Sequence, residues 1–330
     1  MARGLQHDSV VHVPIVTLTA NPAVDENTSV DEVVVDHKLR CRPAAIQPGG
    51  GGINVARAIR QLGGDAVACF PAGGPSGALV CDLLAAEGVR TLTTSVGAWT
   101  RENLNVLERS TNRQFRFCAP GGPLDDKEWT ALLDRFADAC SPRTIAVLSG
   151  SLPLAVPADF YARAVARARG ARLIVDTSGE ALQRVAGRGV YLIKTSLREL
   201  AILAPGVTAD VGAIAEAASR VVANGACEVL VVSLGAGGSI WATNGQRERV
   251  CAPAVPIRSV VGAGDSMVAG IALALASGRP PDLAMRYGVA AGSASVMQPG
   301  TSLCRRDDTE RLYEQLCRGA TADAVAASPH

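Results

Sequence analysis

The chain is 330 residues long and 48% hydrophobic, enough to bury a large α/β core and too apolar to be disordered throughout. Its 32 basic and 31 acidic residues leave a net charge of +1, so no global field draws it onto nucleic acid or an anionic membrane surface. No apolar run approaches the roughly 18 to 20 residues that cross a bilayer, and a cytoplasmic protein is expected.

Met1 to Asp8 lacks the apolar stretch of a signal peptide, and residues 1–12 and 319–330 are expected to be flexible tails. Between them, short β-branched runs alternate with amphipathic segments. Ile15–Leu18, Ala66–Phe70, Ile145–Leu148, Leu173–Asp176, Tyr191–Lys194 and Val229–Ser233 are nearly continuous apolar runs, the pattern of strands buried on both faces of a parallel sheet. Helical segments such as Ile53–Leu62, closed by Gly63-Gly64, and Leu79–Ala86, closed by Gly88, lie between them. The alternation predicts a doubly wound, mostly parallel α/β sheet flanked by helices.

Two regions break this rhythm. Glu26–Gln47 and Asn103–Phe117 carry alternating patterns such as Gln114-Phe115-Arg116-Phe117, which predict a small accessory β-sheet acting as a lid. From Gly262 onward the pattern is helical, with helices expected over Ala263–Ala276, Asp282–Met297 and Asp307–Cys317. No repeat or long linker interrupts the chain, so one domain over residues 13–318 with an inserted lid is expected. Nine scattered cysteines, an odd number without a Cys-x-x-Cys pair, point to reduced thiols rather than disulfides or zinc.

Two glycine-rich segments are candidates for chemistry. Pro48-Gly49-Gly50-Gly51-Gly52-Ile53-Asn54 lets backbone amides approach a polar ligand where a helix begins, with Asn54 able to reach a hydroxyl; a turn that caps a helix explains the same run. Val261-Gly262-Ala263-Gly264-Asp265-Ser266-Met267 exposes amides at a second helix start, where the helix dipole favours a phosphoryl group. Asp265 there can take a proton from an attacking hydroxyl, although by spacing alone it serves equally well as a helix cap. Neither a dinucleotide-binding Gly-x-Gly-x-x-Gly nor a P-loop is present: Gly50-x-Gly52 meets Val55, and Gly235-x-Gly237 meets Ile240, where the third glycine belongs. That disfavours a nicotinamide-dependent dehydrogenase on the same sheet.

Together the two segments, Pro48 to Ala58 and Val261 to Val268, resemble the paired signatures of the PfkB (ribokinase-like) carbohydrate kinases, and the likeness runs from about Ile15 to Leu316. Phe70-Pro71-Ala72-Gly73-Gly74, Trp99-Thr100-Arg101-Glu102-Asn103, Ser149-Gly150-Ser151-Leu152-Pro153 and Asp176-Thr177-Ser178-Gly179-Glu180 resemble the phosphofructokinase branch in particular. The resemblance implies glycolytic, ATP-dependent transfer to the 1-hydroxyl of fructose 6-phosphate. Tagatose 6-phosphate and fructose 1-phosphate remain open as acceptors, and a sugar-phosphate sensor without activity is the alternative from another class.

By the same resemblance, Asp265 is the base and Gly262, Ala263 and Gly264 form the anion hole. Asp25, Asn54 and Gly50, Gly51 and Gly52 meet the sugar, while Lys38, Arg40 and Arg101 grip its phosphate, Lys38 and Arg40 reaching from the lid, and Ser151 also falls on the substrate side. Lys194, Ser196, Ser233, Gly235, Gly238, Val289 and Ser293 fall on the ATP side. Glu199 orders magnesium through water, with Ser196 standing where the family usually has asparagine. Ser259, Val261, Ser295, Gln298, Gly300 and Ser302 would hold potassium, and a homodimer through the lid is implied.

Overall fold

The computed structural model describes residues 13–326, with side chains as far as 318. In the first part of the chain, β1 (Ile15–Leu18) leads into β2 (Ala23–Val30) and β3 (Ala45–Gly49), then α1 (Gly51–Gln61), β4 (Val67–Ala72) and α2 (Gly74–Ala86). β5 (Arg90–Ser95), β6 (Arg101–Glu108), β7 (Arg113–Cys118) and α3 (Asp126–Asp138) follow. The middle comprises β8 (Ile145–Ser149), α4 (Phe160–Arg167), β9 (Arg172–Asp176), α5 (Gly179–Val185), β10 (Leu192–Ser196) and α6 (Leu197–Leu203). The last part holds α7 (Val211–Ala223), β11 (Val229–Ser233), β12 (Ser239–Ala242), β13 (Arg247–Val250), α8 (Ala263–Ala276), α9 (Pro281–Val296) and α10 (Arg306–Ala326).

The large sheet has the order β13-β12-β11-β10-β9-β8-β1-β4-β5. Its strands are parallel from β11 to β5, and β12 and β13 extend one edge antiparallel. Side chains alternate along a strand, so adjacent residues feed opposite cores: Ile15 and Val147 pack with α1, α8 and α9, whereas Val16 and Ala146 pack with α3, α4 and α7. Burial on both faces is the reason these strands carry no polar alternation. The expected doubly wound sheet is therefore present. β5 and β13 carry no such apolar run, since Arg90-Thr91-Leu92-Thr93-Thr94-Ser95 and Arg247-Glu248-Arg249-Val250 lie at the sheet edges, where one side of the strand meets water, while β12 just inside β13 is buried throughout.

α8 is buried along its whole length from Ser266 to Ala276, which explains why its sequence shows no polar stripe. It lies close against α9 because a Cβ on Gly270 would come within 3.0 Å of the Tyr287 carbonyl and 2.9 Å of the Ala291 Cβ. Overpacking there would cost about 1–3 kcal/mol and displace the N-terminus of α8.

The accessory sheet has four strands in the order β3-β2-β6-β7, with β2 parallel to β6. Residues 31–44, inside the Glu26–Gln47 region expected to be lid strand, form an exposed loop instead. α10 runs to Ala326, past the expected start of a tail at 319; residues 1–12 and 327–330 lie outside the described residues. Among the described residues no helix is long and apolar enough to cross a membrane.

Candidate active site at the carboxyl ends of the strands

The chain leaves β1 toward β4 and β5, then returns to place β8 on the other side of β1, so the strand order reverses between β1 and β8. In such sheets the carboxyl ends splay at the reversal and leave a crevice. α1 starts in it. A Cβ on Gly51 would stand 2.4 Å from Ser149 Oγ and 2.8 Å from the Gly150 amide; one on Gly52 would meet Thr19 Oγ1 at 2.6 Å and the Leu18 carbonyl at 2.8 Å. The glycine run thus lets α1 sit directly on the ends of β1 and β8, and Gly50, at φ +113°, makes the turn into it. Of these glycines it is Gly51 that lines the cleft, whereas Gly52 is buried beneath.

α8 enters the same crevice from the other end of the chain. Gly262 is its N-cap in the left-handed conformation (φ +79°), and Asp265 lies in the first turn. Asn54 Nδ2 donates to Asp265 Oδ2 at 3.0 Å, joining the two glycine-rich segments across 211 residues of sequence. Burial pushes the Asp265 carboxyl up to about 7, helped by the negative charges of Asp176 and Asp25 and opposed by the Asn54 hydrogen bond and by Lys194.

Lys194, in the middle of β10, reaches Asp176 at the end of β9, with Nζ 3.2 and 3.3 Å from the two carboxylate oxygens. Burial works against the ammonium, yet Asp176, Glu199 and Asp265 together hold it charged above the ordinary lysine value. Burial also raises the Asp176 carboxyl, only partly offset by Lys194. Gly264 is small enough to admit this ammonium, which would stand 3.0 Å from a Cβ there. Sequence reasoning assigned no role to Asp176. Its one local signal is a carboxylate at the end of an otherwise apolar strand, and its partnership with Lys194 depends on strand pairing.

Gly51, Ser149, Gly150, Asp176, Lys194 and Asp265 border a cleft of about 270 Å³, with Ser151, Glu199, Gly262 and Gly264 also on its wall. A second cavity of about 450 Å³ opens beside it, lined by Ser233, Gly235, Gly238, Val289 and Ser293 and walled by Ala252–Val255 and Val296. Gly264 borders both. The residues expected on the nucleotide side and those expected at the base therefore meet at one glycine. The loop residues 252–257, which form much of the larger cavity, carry no recognisable signal in sequence.

Ser196 has a local structural job. It caps α6, with Glu199 Oε2 accepting from the Ser196 amide at 2.6 Å and Ser196 Oγ accepting from the Glu199 amide at 3.3 Å. Serine keeps Glu199 on the cleft wall through this capping box, so the departure at 196 leaves the acidic residue in position.

On the accessory sheet, Asp25 accepts from Asn103 Nδ2 at 2.7 Å and lies over Gly49, where any Cβ would collide with it at 2.2 Å. Arg101 donates to the carbonyls of Ala119 and Asn21, at 2.8 and 3.2 Å, and its buried Nε has no partner. Ser151 is tied to the same region by Asn21 Nδ2 at 3.3 Å. Burial lowers the Arg101 pKa, with the Asp25 carboxylate acting the other way. Lys38 and Arg40 are not brought to this cluster: they sit in the exposed 31–44 loop and border none of the cavities described above.

The loops around Ser259, Val261, Ser295, Gln298, Gly300 and Ser302 close behind the N-terminus of α8. The Ser295 and Pro299 carbonyls accept from the Gln298 and Ser302 amides, and Val261 donates to Ser259 Oγ at 3.3 Å. Ser295 Oγ is buried without a hydrogen-bond partner, an orphaned oxygen that suits a bound cation.

The family model for pfkB family carbohydrate kinases matches residues 18–308. An ATP-dependent 6-phosphofructokinase isozyme 2 from Mycobacterium tuberculosis is 42% identical over 302 residues, covering 91% of this chain and 89% of the relative. The enzyme of the same name from Escherichia coli K12 is 40% identical over 309 residues, covering 93% and 100%. Crystal structures of phosphofructokinase-2 from Escherichia coli, in complex with potassium and with fructose-6-phosphate, superpose with TM-scores of 0.89 and 0.88 at 40% and 39% identity, each covering 93% of this chain and 100% of its own. The chain belongs to the pfkB family of carbohydrate kinases.

Proposed function

We propose that this protein is a cytoplasmic 6-phosphofructokinase, transferring the γ-phosphoryl group of ATP to the 1-hydroxyl of fructose 6-phosphate. The observation that carries this reading is the junction at Gly264, where a largely apolar cavity suited to a nucleotide base and sugar opens onto a polar cleft holding Asp265 and Lys194. The relatives that share its length and about two fifths of its residues act as 6-phosphofructokinases, and one has been crystallised with fructose-6-phosphate.

Asp265 takes the proton of the 1-hydroxyl as its oxygen bonds to the γ-phosphorus and the bond to ADP breaks. The amides of Gly262, Ala263 and Gly264, at the positive end of α8, face the charge on the moving group, and Lys194 adds an ammonium beside them. Asp25 and Asn54 hold sugar hydroxyls, and Arg101 with Ser151 serves the 6-phosphate. Lys38 and Arg40 supply further cations from a partner's lid: Ile46, Leu104 and Phe117 are exposed in one cross-strand row, with Glu26 between Ile46 and Leu104, and offer a mostly apolar face for a second copy to cover. Glu199, on the cleft wall, would order waters around a magnesium ion carried by the ATP phosphates. Potassium fits at Ser295, where it would neutralise charge behind the anion hole.

The test is ADP release by the purified protein with MgATP and each of fructose 6-phosphate, tagatose 6-phosphate and fructose 1-phosphate. The highest kcat/KM with fructose 6-phosphate is expected. A preference for another sugar would reassign the substrate, and no ADP with any of them would remove the activity.

A further inference from the structure

The hydrogen bond between Asn54 and Asp265 leaves one question of chemistry, namely which end of the Asn54 amide faces the carboxylate. Arg57, one turn later on α1 and only 2% exposed, answers it. Its Nη1 lies 3.4 Å from Asn54 Oδ1 and 2.8 Å from the Pro48 carbonyl, and its Nε and Nη2 grip Glu87 at 2.8 and 2.7 Å. The guanidinium is thus held from two sides, by the C-cap residue of α2 and by the backbone where β3 enters the glycine run.

We infer that Arg57 is a positioning residue for the phosphoryl transfer: it fixes the Asn54 amide so that its NH2 end, and never its oxygen, meets Asp265. A guanidinium has donors only, so it accepts the Asn54 oxygen as partner and repels the NH2 group. With Oδ1 committed to Arg57, Nδ2 is left to donate to Asp265, and a donor favours the ionised carboxylate. Were the amide free to turn, its oxygen would accept from a protonated Asp265 and so favour the form that cannot take a proton. Glu87, Arg57, Asn54 and Asp265 therefore make a relay of fixed polarity from the protein surface to the base, in which no proton moves.

This inference rests on Asp265 being the base. Arg57→Met should lower kcat by about tenfold or more, the scale on which small errors in geometry act, with KM for ATP little changed. It should also move the acid limb of the pH profile of kcat/KM to higher pH by about half a unit or more. Glu87→Gln, which weakens the ion pair but keeps an acceptor for Arg57, should lower the melting temperature and leave that limb in place. An Arg57→Met enzyme whose limb stays at the wild-type pH would reduce Arg57 to a structural ion pair and overturn the assignment. If Arg57→Met does not fold, Arg57→Lys keeps the charge without the fork and is read by the same limb. Full activity of Asp265→Asn would instead sink the base assignment itself, whatever Arg57 does.

Discussion

The two cavities that meet at Gly264 are built on different principles. The larger is walled by small and aliphatic groups from the loop at 252–257, α8 and α9, and offers shape with few charges. The smaller gathers Asp265, Asp176, Lys194 and Glu199 within about 270 Å³ at the ends of parallel strands. Shape tolerates small changes, because a side chain lost from a wall costs only its own contacts. A cluster of mutually dependent charges does not, since removing one member leaves the others buried and unbalanced.

The greatest effect should follow Asp265→Asn, which keeps the volume and the partner for Asn54 but removes the proposed base. A fall in kcat on the order of 10²-fold or more is expected by steady-state assay, with ATP binding nearly intact. Next comes Lys194→Met, which strands Asp176 at 12% side-chain exposure. Breaking a buried pair in this way costs about 3–5 kcal/mol, to be read by denaturant titration at neutral pH, and raises Asp265 further. If the variant were as stable as wild type, the smaller cavity would not be the coupled cluster described.

Gly51→Ala should cost about 1–3 kcal/mol and disturb the sugar side, because its Cβ has no room beside Ser149 Oγ at 2.4 Å. The pH dependence follows from Asp265, whose carboxyl is pushed up to about 7 against an ordinary value of 3.8. With Asp265 as the proposed base, the free enzyme gains its ionised form as pH rises through about 7, so kcat/KM should climb there and level off above. For stability the sign is opposite: the folded protein binds this proton more tightly than the unfolded chain, so its contribution is greatest below about pH 4 and fades as pH rises to about 7. Asp265→Asn should flatten that slope in melting curves taken across the interval. The smallest change belongs to the shaped cavity: Val289→Ala should raise KM for ATP only a few-fold, about 1 kcal/mol, and leave kcat alone. A large loss of kcat from Val289→Ala would erase the distinction between the two cavities.

The central strands were legible because burial on both faces writes an unbroken apolar run, and α8 was legible to its residue limits because Gly262 and the turn after Ala276 bound it. β5 and β13 were not, since an edge strand needs no such run. The lid strands β2 and β6 pair in parallel across 78 residues of sequence, so the Asn103 support for Asp25 has no local trace. The same holds for Asp176 with Lys194 and for Arg57 with Glu87: each partner is an ordinary residue until folding puts it beside the other. The four glycines of the first signature were legible as a special segment, but their work includes close packing on β1 and β8 as well as exposing amides to a ligand. Lys38 and Arg40 stand apart from the cluster because the loop between β2 and β3 carries them outward.

That α8 packs on α1 and also on β1, β8 and β9 has a consequence for how the polypeptide emerges during synthesis. Ile53, Val55, Ala56 and Ile59 share one apolar cluster with Val268, Ala269, Ile271 and Ala272, and translation delivers the second group more than two hundred residues after the first. Until then α1 presents a bare greasy face to chaperones and proteases. A ribosome-stalled fragment ending before Ala263 should be cut readily within α1, while one extending through α9 should resist.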